Sequence, residues 1–419
     1  MQFSRFGQKF STDAGIISLM DDLGNALADG SMIMMGGGNP ARIDAVEVRL
    51  RERLAELAAN PDDFRRLVGV YDPPQGEKQF IASLVNLLNR TWGWSLSADN
   101  IALTNGSQSA FFMLFNLFAG DMGEGRSRHI LFPLAPEYIG YADAGIDEHA
   151  FRACRPVLNL EGEHGFKYAV DFDALEITPD TAALCVSRPT NPTGNVLTDA
   201  EMERLEALAE AHDIPLIVDG AYGLPFPDLM YVDATLRWSP RMILCLSLSK
   251  LGLPAVRTGI VIADASIIRA LAGMNAIINL ATGSFGPLLM EPWVRSGEIL
   301  AVSRDIVRPY YQARMQRAVA ILQAELGDAV PWRLHRPEGA MFLWLWFPGL
   351  PMTSLALYER LKAQGVLVVS GHYFFPGLDD DGWPHRHECI RVTYSQDDAL
   401  VEQGLRILAR TVREVFAGV

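Results

Sequence analysis

Short apolar runs rich in β-branched residues alternate along this chain with amphipathic stretches of helical character. The clearest unit starts at AALCVS (182–187), passes through the polar RPTNPTGNVL and enters TDAEMERLEALAEAH. Thr198 and Glu201 have the spacing of a capping box, which predicts where that helix starts. Further strands are predicted at IPLIVD (214–219), ending on Asp219, at MILCLSLS (242–249), delivering Lys250, and at TGIVIAD (258–264). Upstream, NIALT runs into NGSQSAFFMLFNLF, a polar turn that opens a helix at about Ser107. The alternation predicts an α/β fold with a mostly parallel central sheet and helices on its faces.

Near the end of the chain, PEGAMFLWLWF and CIRVTYS read instead as antiparallel strands. With 419 residues and 49% apolar content, the chain exceeds the usual size of one compact domain. The expected division is a large ligand-binding domain over 71–299 and a smaller α+β domain built from 1–70 and 300–419.

Composition removes several classes of function. A net charge of -14, from 36 basic against 50 acidic residues, argues against nucleic acid as a partner. The densest apolar run, AFFMLFNLFAG (110–120), falls short of the roughly 18–20 residues of a membrane span and suits a buried helix, so no membrane partner is expected. The first residues, MQFSRFGQKFSTDAG, lack the continuous apolar core of a secretion signal, which makes the cytoplasm the expected location. Cys154, Cys185, Cys245 and Cys389 are scattered without a CxxC pair and read as reduced core residues. In HRHEC (385–389), His385, His387 and Cys389 alternate and would share one face of a strand, as zinc ligands can. No fourth ligand is evident nearby, so no metal is expected.

In open α/β sheets ligands gather beyond the carboxyl ends of the strands. Asn191, Asp219 and Lys250 follow three successive strands there, with Tyr222 and Arg257 close behind in sequence. Gly106, Ser107 and Gln108 open a helix whose free N–H groups suit an anion, most often phosphate. Taken singly, a lysine after a strand is ordinarily a solvated surface group, and NPTG is an ordinary turn. Together they meet the needs of one ligand, pyridoxal 5′-phosphate. Its aldehyde needs an amine for a Schiff base, its pyridine nitrogen an acidic partner, and its phosphate N–H donors and a cation.

NPTGN (191–195), DGAYG (219–223), SLSKLGLPAVRTG (247–259) and the arginine of ECIRVTYS (388–395) stand in the order found in the fold-type I aminotransferases that use pyridoxal phosphate. The chain resembles that family over nearly its whole length. The resemblance implies that Lys250 forms the Schiff base and carries the proton between substrate Cα and cofactor C4′. It implies that Asp219 holds the pyridinium proton, that Asn191 and Tyr222 contact the ring's phenolic oxygen, and that Tyr138 stacks on the ring. The phosphate would be held at Gly106, Ser107 and Gln108 and by Ser247, Ser249 and Arg257. Arg391 would grip the substrate α-carboxylate, with Gly38 offering backbone and Asn191 close by. Tyr71, in YDPPQGEKQF, would reach the phosphate of a neighbouring subunit, which implies a homodimer with shared sites. One departure is that Lys250 and Arg257 are seven residues apart, where many relatives have eight.

The implied reaction is ping-pong transfer of an amino group from an amino acid to a 2-oxo acid. No second basic residue for a dicarboxylate substrate is identifiable, which is compatible with apolar amino acids. Two rivals share the scaffold. β-Elimination or decarboxylation would use the same lysine, because the cofactor stabilises several carbanions. A transcription regulator with an aminotransferase-like module would need a DNA-reading domain, and residues 1–70 show no basic helix-turn-helix pattern.

Overall fold

The computed structural model describes residues 2–11, 24, 32–379 and 382–418. After the two-residue strand β1 (Ile33–Met34), the main sheet is built from β2 (Ile101–Thr104), β3 (Gly120–Gly123), β4 (Arg126–Phe132), β5 (Phe151–Ala153), β8 (Thr181–Ser187), β9 (Leu216–Asp219), β10 (Met242–Ser247) and β11 (Gly259–Ile262). The strand order is β2-β11-β10-β9-β8-β4-β3, with β5 also paired to β4. Strands β4, β8, β9 and β10 are mutually parallel, while β11 runs antiparallel between β10 and β2.

Alternate residues of the central strands enter two different cores. Cys185, Ile217, Ile243 and Cys245 pack on one face beneath the helices Ser107–Phe118 and Ala265–Ile278, while Leu184, Val186, Leu216, Val218, Leu244 and Leu246 pack on the other. A parallel sheet covered on both faces needs apolar residues at every position, which is why these strands read as continuous apolar runs. Each fully buried leucine or isoleucine contributes about 1.5–3 kcal/mol, so these runs fix the strands firmly. None of the four cysteines is in a disulfide, and Cys185, Cys245 and Cys389 are buried. The helix Asp199–Ala211 begins with the expected capping box between Thr198 and Glu201.

A second sheet has the order β15-β16-β13-β12-β7-β6, using β6 (Val157–Glu161), β7 (Gly165–Ala169), β12 (Arg333–His335), β13 (Phe342–Trp346), β15 (Val369–Ser370) and β16 (Cys389–Thr393). Just before β15, the short strand β14 (Val366–Leu367) pairs in parallel with β1. The late strands are antiparallel as expected, with Trp344 opposite Arg391. The hairpin β6–β7 leaves the central part of the chain to pair with β12. Buried Lys167 on β7 pairs with Glu338, whose carboxylate also accepts the Val196 N–H. That contact ties the second sheet to the turn following Asn191.

The three alternating residues of HRHEC do not share a strand face. His385 and His387 lie in a 3-10 turn, Pro384–His387, and only Cys389 is in β16. His385 is instead a core residue, with Nε2 2.5 Å from the Tyr168 hydroxyl and 3.7 Å from Cys389 Sγ. Burial lowers its pKa to about 3, which keeps the ring neutral. Pro384 and the aromatic packing of Trp346 and Trp383 around the ring override the alternation. Among the described residues no helix is long and apolar enough to cross a membrane.

Candidate active site

Because β8, β9 and β10 are parallel, their carboxyl ends meet at one edge. Ser187 and Asp219 are register partners there, and Cys245 pairs with Asp219 two residues before Ser247. A cavity of about 350 Å³ opens at this edge. Gly38, Ser107, Gln108, Tyr138, Asn191, Asp219, Tyr222, Ser247, Ser249, Lys250, Arg257 and Arg391 all line it, so twelve widely separated positions converge. Gly106 packs against Arg257 of the lining, and Tyr71 is 79% exposed and is not among the lining residues.

Lys250 sits in the turn Ser249–Leu251 that ends β10. Its amine donates to the Gly38 carbonyl at 2.7 Å and stands 5.3 Å from the centre of the Tyr222 ring. Burial and the nearby Arg391 charge lower its pKa to about 8, while Asp219 pulls the other way. About a tenth is therefore the free amine at neutral pH, far more than for an ordinary lysine, and this is the form that attacks a carbonyl. Asp219 accepts from the Tyr141 hydroxyl at 2.5 Å and from the Ala221 N–H at 2.9 Å. Burial raises its pKa, and the Tyr141 and Ala221 hydrogen bonds and the Lys250 charge hold the rise down.

At the opposite wall Arg391 projects from β16 between the rings of Phe342 and Phe374, 4.2 and 5.0 Å from their centres. It donates to Asn191 Oδ1 at 2.6 Å and to the Gly36 carbonyl at 2.7 Å. Its Nε is buried and, among the described residues, has no hydrogen-bond partner. Burial lowers the arginine pKa to about 10, and it stays a cation at neutral pH.

The anion end is formed where β2 turns into the helix at Ser107. Gly106 has φ 86°, and a Cβ there would overlap the Arg257 guanidinium. Arg257 itself takes the left-handed conformation, φ 49°. Gly259 is equally forced, since a Cβ would run into Thr104 Oγ1 and the backbone of Gly106 and Ser107. The side-chain amide of Gln108 donates to the Gly140 carbonyl at 2.8 Å, which fixes the side chain at the start of the helix.

Three residues around Asp219 escaped the sequence reading. Ser187 lines the cavity, Tyr141 holds the Asp219 carboxylate, and Glu137 is buried against Ser187. The available signal was APEYIGY, which places Glu137 and Tyr141 on either side of Tyr138 in the turn after β4.

An amine of lowered proton affinity, a buried carboxylate and a buried guanidinium around one cavity define an enzyme of amino-group chemistry rather than a binding module. The sequence matches the family model Aminotransferase class I and II over residues 53–408, and the chain belongs to that family. It is 48% identical over 417 residues to valine–pyruvate aminotransferase of Escherichia coli strain K12, covering 100% of this chain and 99% of that protein. The crystal structure of valine–pyruvate aminotransferase from Salmonella typhimurium LT2 is 47% identical and superposes with a TM-score of 0.89, covering 97% of this chain and 100% of that one. The α-aminoadipate aminotransferase LysN of Thermus thermophilus, complexed with N-(5′-phosphopyridoxyl)-L-leucine, shares the fold at 21% identity and TM-score 0.78, covering 100% of this chain and 98% of that one.

Proposed function

We propose that this aminotransferase moves the amino group of L-valine to pyruvate, giving 3-methyl-2-oxobutanoate and L-alanine. The observation that carries the reading is the distribution of charge in the cavity. Among the described residues its cations are Lys250, Arg257 and Arg391. Once an aldehyde, a phosphate and an α-carboxylate have each taken one, no cation remains for a substrate side chain. An apolar amino acid is the matching donor, and the full-length similarity to valine–pyruvate aminotransferases supports the same choice.

The cofactor is pyridoxal 5′-phosphate, and the donor set fits it. The Lys250 amine faces the cavity, the Gly106 turn leaves room for the Arg257 guanidinium, and Arg391 Nε lacks a partner among the described residues. When bound, the cofactor supplies an aldehyde for the amine and a ring that accepts the electrons released at the substrate Cα. In this reading Lys250 would provide the amine and serve as the base for the substrate Cα proton. Asp219 would hold the proton of the ring nitrogen, with Tyr138 as the ring's stacking partner and Asn191 and Tyr222 as partners of its oxygen. Backbone N–H groups of Ser107 and Gln108, with Ser247, Ser249 and Arg257, hold the phosphate. Arg391 clamps the α-carboxylate beside Gly38 and Asn191.

A homodimer in the cytoplasm completes the reading. Tyr71 is exposed and does not line its own cavity, which suits a phenol that serves a neighbouring copy. Mixing Tyr71→Phe and Lys250→Ala chains tests this, since shared sites give the mixed dimer one site with both Tyr71 and Lys250, which should bind pyridoxal phosphate more tightly than the Tyr71→Phe homodimer does.

A substrate panel with pyruvate as acceptor tests the specificity. Valine is expected to lead, with alanine and 3-methyl-2-oxobutanoate leading in reverse. Preference for aspartate or phenylalanine would overturn the valine assignment. Valine alone should convert the cofactor to its amine form. Release of ammonia with return of the starting spectrum would instead mark a lyase.

A further inference from the structure

The turn after β4 buries a carboxyl that the reaction described above does not use. Glu137 is 1% exposed. Its Oε1 accepts from the Ser187 N–H at 2.8 Å, and its Oε2 is 2.5 Å from Ser187 Oγ. Ser187 Oγ is in turn 3.5 Å from the Tyr141 hydroxyl, which donates to Asp219 Oδ2 at 2.5 Å. Four side chains therefore form one line from Glu137 to the carboxylate at the cavity wall.

The titratable groups around Glu137 are Asp219 from β9, Tyr138 and Tyr141 from its own turn, and Cys185 from β8. Arg391 stands beyond Phe374, whose carbonyl accepts the Glu137 N–H. Among the described residues no lysine or arginine forms an ion pair with Glu137. Burial pushes its pKa up to about 8 against the pull of the hydrogen bonds from the Ser187 hydroxyl and N–H and from the Tyr138 N–H, and the Asp219 charge adds to the rise. A buried carboxyl with a hydroxyl at hydrogen-bond distance and no cation is most stable as the neutral acid.

We propose that Glu137 is a positioning residue, held as a neutral acid whose proton orders a one-way chain of hydroxyls through Ser187 and Tyr141 onto the Asp219 carboxylate. This rests on the reading that Asp219 faces the ring nitrogen. With Glu137 neutral, its O–H donates to Ser187 Oγ, the Ser187 hydroxyl to Tyr141 and the Tyr141 hydroxyl to Asp219, each keeping its own proton, which stabilises the Asp219 anion. With Glu137 ionised, the Ser187 hydroxyl turns back to it and a second negative charge faces Asp219. Asp219 then binds a proton more tightly.

The test compares wild type with Glu137→Gln and Glu137→Ala, using Asp219→Asn as a control. Infrared spectra of the cofactor-free proteins should show a carboxylic-acid carbonyl band in wild type at neutral pH, lost above about 8 and absent from Glu137→Gln. In the loaded enzymes, nitrogen NMR of ring-labelled pyridoxal phosphate reports protonation of the ring. Glutamine keeps a neutral donor to Ser187, so Glu137→Gln should match wild type at neutral pH and stay constant above 8, where wild type drifts toward the unprotonated ring. Glu137→Ala should already be displaced at neutral pH. If Glu137→Ala fails to fold, the pH comparison between wild type and Glu137→Gln decides alone. A band unchanged in Glu137→Gln, or parallel pH behaviour of wild type and Glu137→Gln, overturns the proposal. A ring signal untouched by Asp219→Asn overturns the Asp219 reading and the proposal with it, whereas a signal moved by Asp219→Asn alone removes only Glu137.

Discussion

Arg391 and Asn191, 200 positions apart, are joined by a 2.6 Å hydrogen bond across the cavity wall. One projects from the second sheet and the other from the turn after β8, so the contact fixes Arg391, the proposed carboxylate clamp, against the main sheet. Charge alone does not make this geometry, because it needs the planar fork of a guanidinium.

Replacing Arg391 by lysine should therefore weaken every amino acid and 2-oxo acid alike. A loss of about 1.5–3 kcal/mol per charge-assisted hydrogen bond corresponds to KM values raised roughly 10- to 150-fold. Steady-state kinetics with valine and pyruvate check this, alongside a cofactor spectrum that should stay unchanged. Loss of cofactor with unaltered KM values would mean that Arg391 serves the phosphate.

At the anion end the complementary result is expected. Gly106→Ala puts a methyl group where the Arg257 guanidinium lies, at a backbone angle that alanine tolerates poorly. Gly106→Ala and Arg257→Lys should each raise the Kd of pyridoxal phosphate by about tenfold or more, the scale of one charge-assisted hydrogen bond. Binding of pyridoxal, which has no phosphate, should change little. Equal losses for both compounds would show general damage to the cavity.

Much of this site was legible because its residues follow strand ends and turns, where local patterns are strong. Lys250, Asp219 and Asn191 were found that way, as was the helix start at Ser107. Glu137, Ser187 and Tyr141 were not, because only the pairing of β4, β8 and β9 brings them to Asp219. The hairpin β6–β7 was equally hidden, since its pairing with β12 joins residues about as far apart as Phe166 and His335. In HRHEC the alternation was real in sequence, but a proline and a ring of aromatic side chains set the local structure.

Tyr141→Phe removes the 2.5 Å hydrogen bond that lowers the proton affinity of Asp219. It should reduce kcat by about 5- to 10-fold, near 1 kcal/mol for a single hydrogen bond, with KM for valine nearly constant. Asp219→Ala should cost about 10²–10³-fold in kcat, as loss of a preorganised charge does. Normal turnover in Asp219→Ala would contradict its role at the ring.

The lowered pKa of Lys250 predicts how cofactor uptake depends on pH. The free amine is the reactive form, so the rate of incorporation into cofactor-free protein should rise with pH and level off above about 8. Below that point it should fall about tenfold per pH unit, following the neutral fraction. The same depression makes folding stability of the cofactor-free protein rise with pH between about 8 and the ordinary lysine value, because only the unfolded chain binds the proton there. A rate flat with pH, measured by stopped-flow absorbance, would contradict the assignment.

The chain has five lysines, Lys9, Lys78, Lys167, Lys250 and Lys362, and Lys250 lines the cavity. Reducing the loaded enzyme with borohydride, digesting it and mapping the added mass identifies the amine that holds the cofactor. All of the adduct is expected on the peptide containing Lys250, with none in Lys250→Ala. An adduct on Lys167 or another lysine, or no adduct in wild type, would contradict the account.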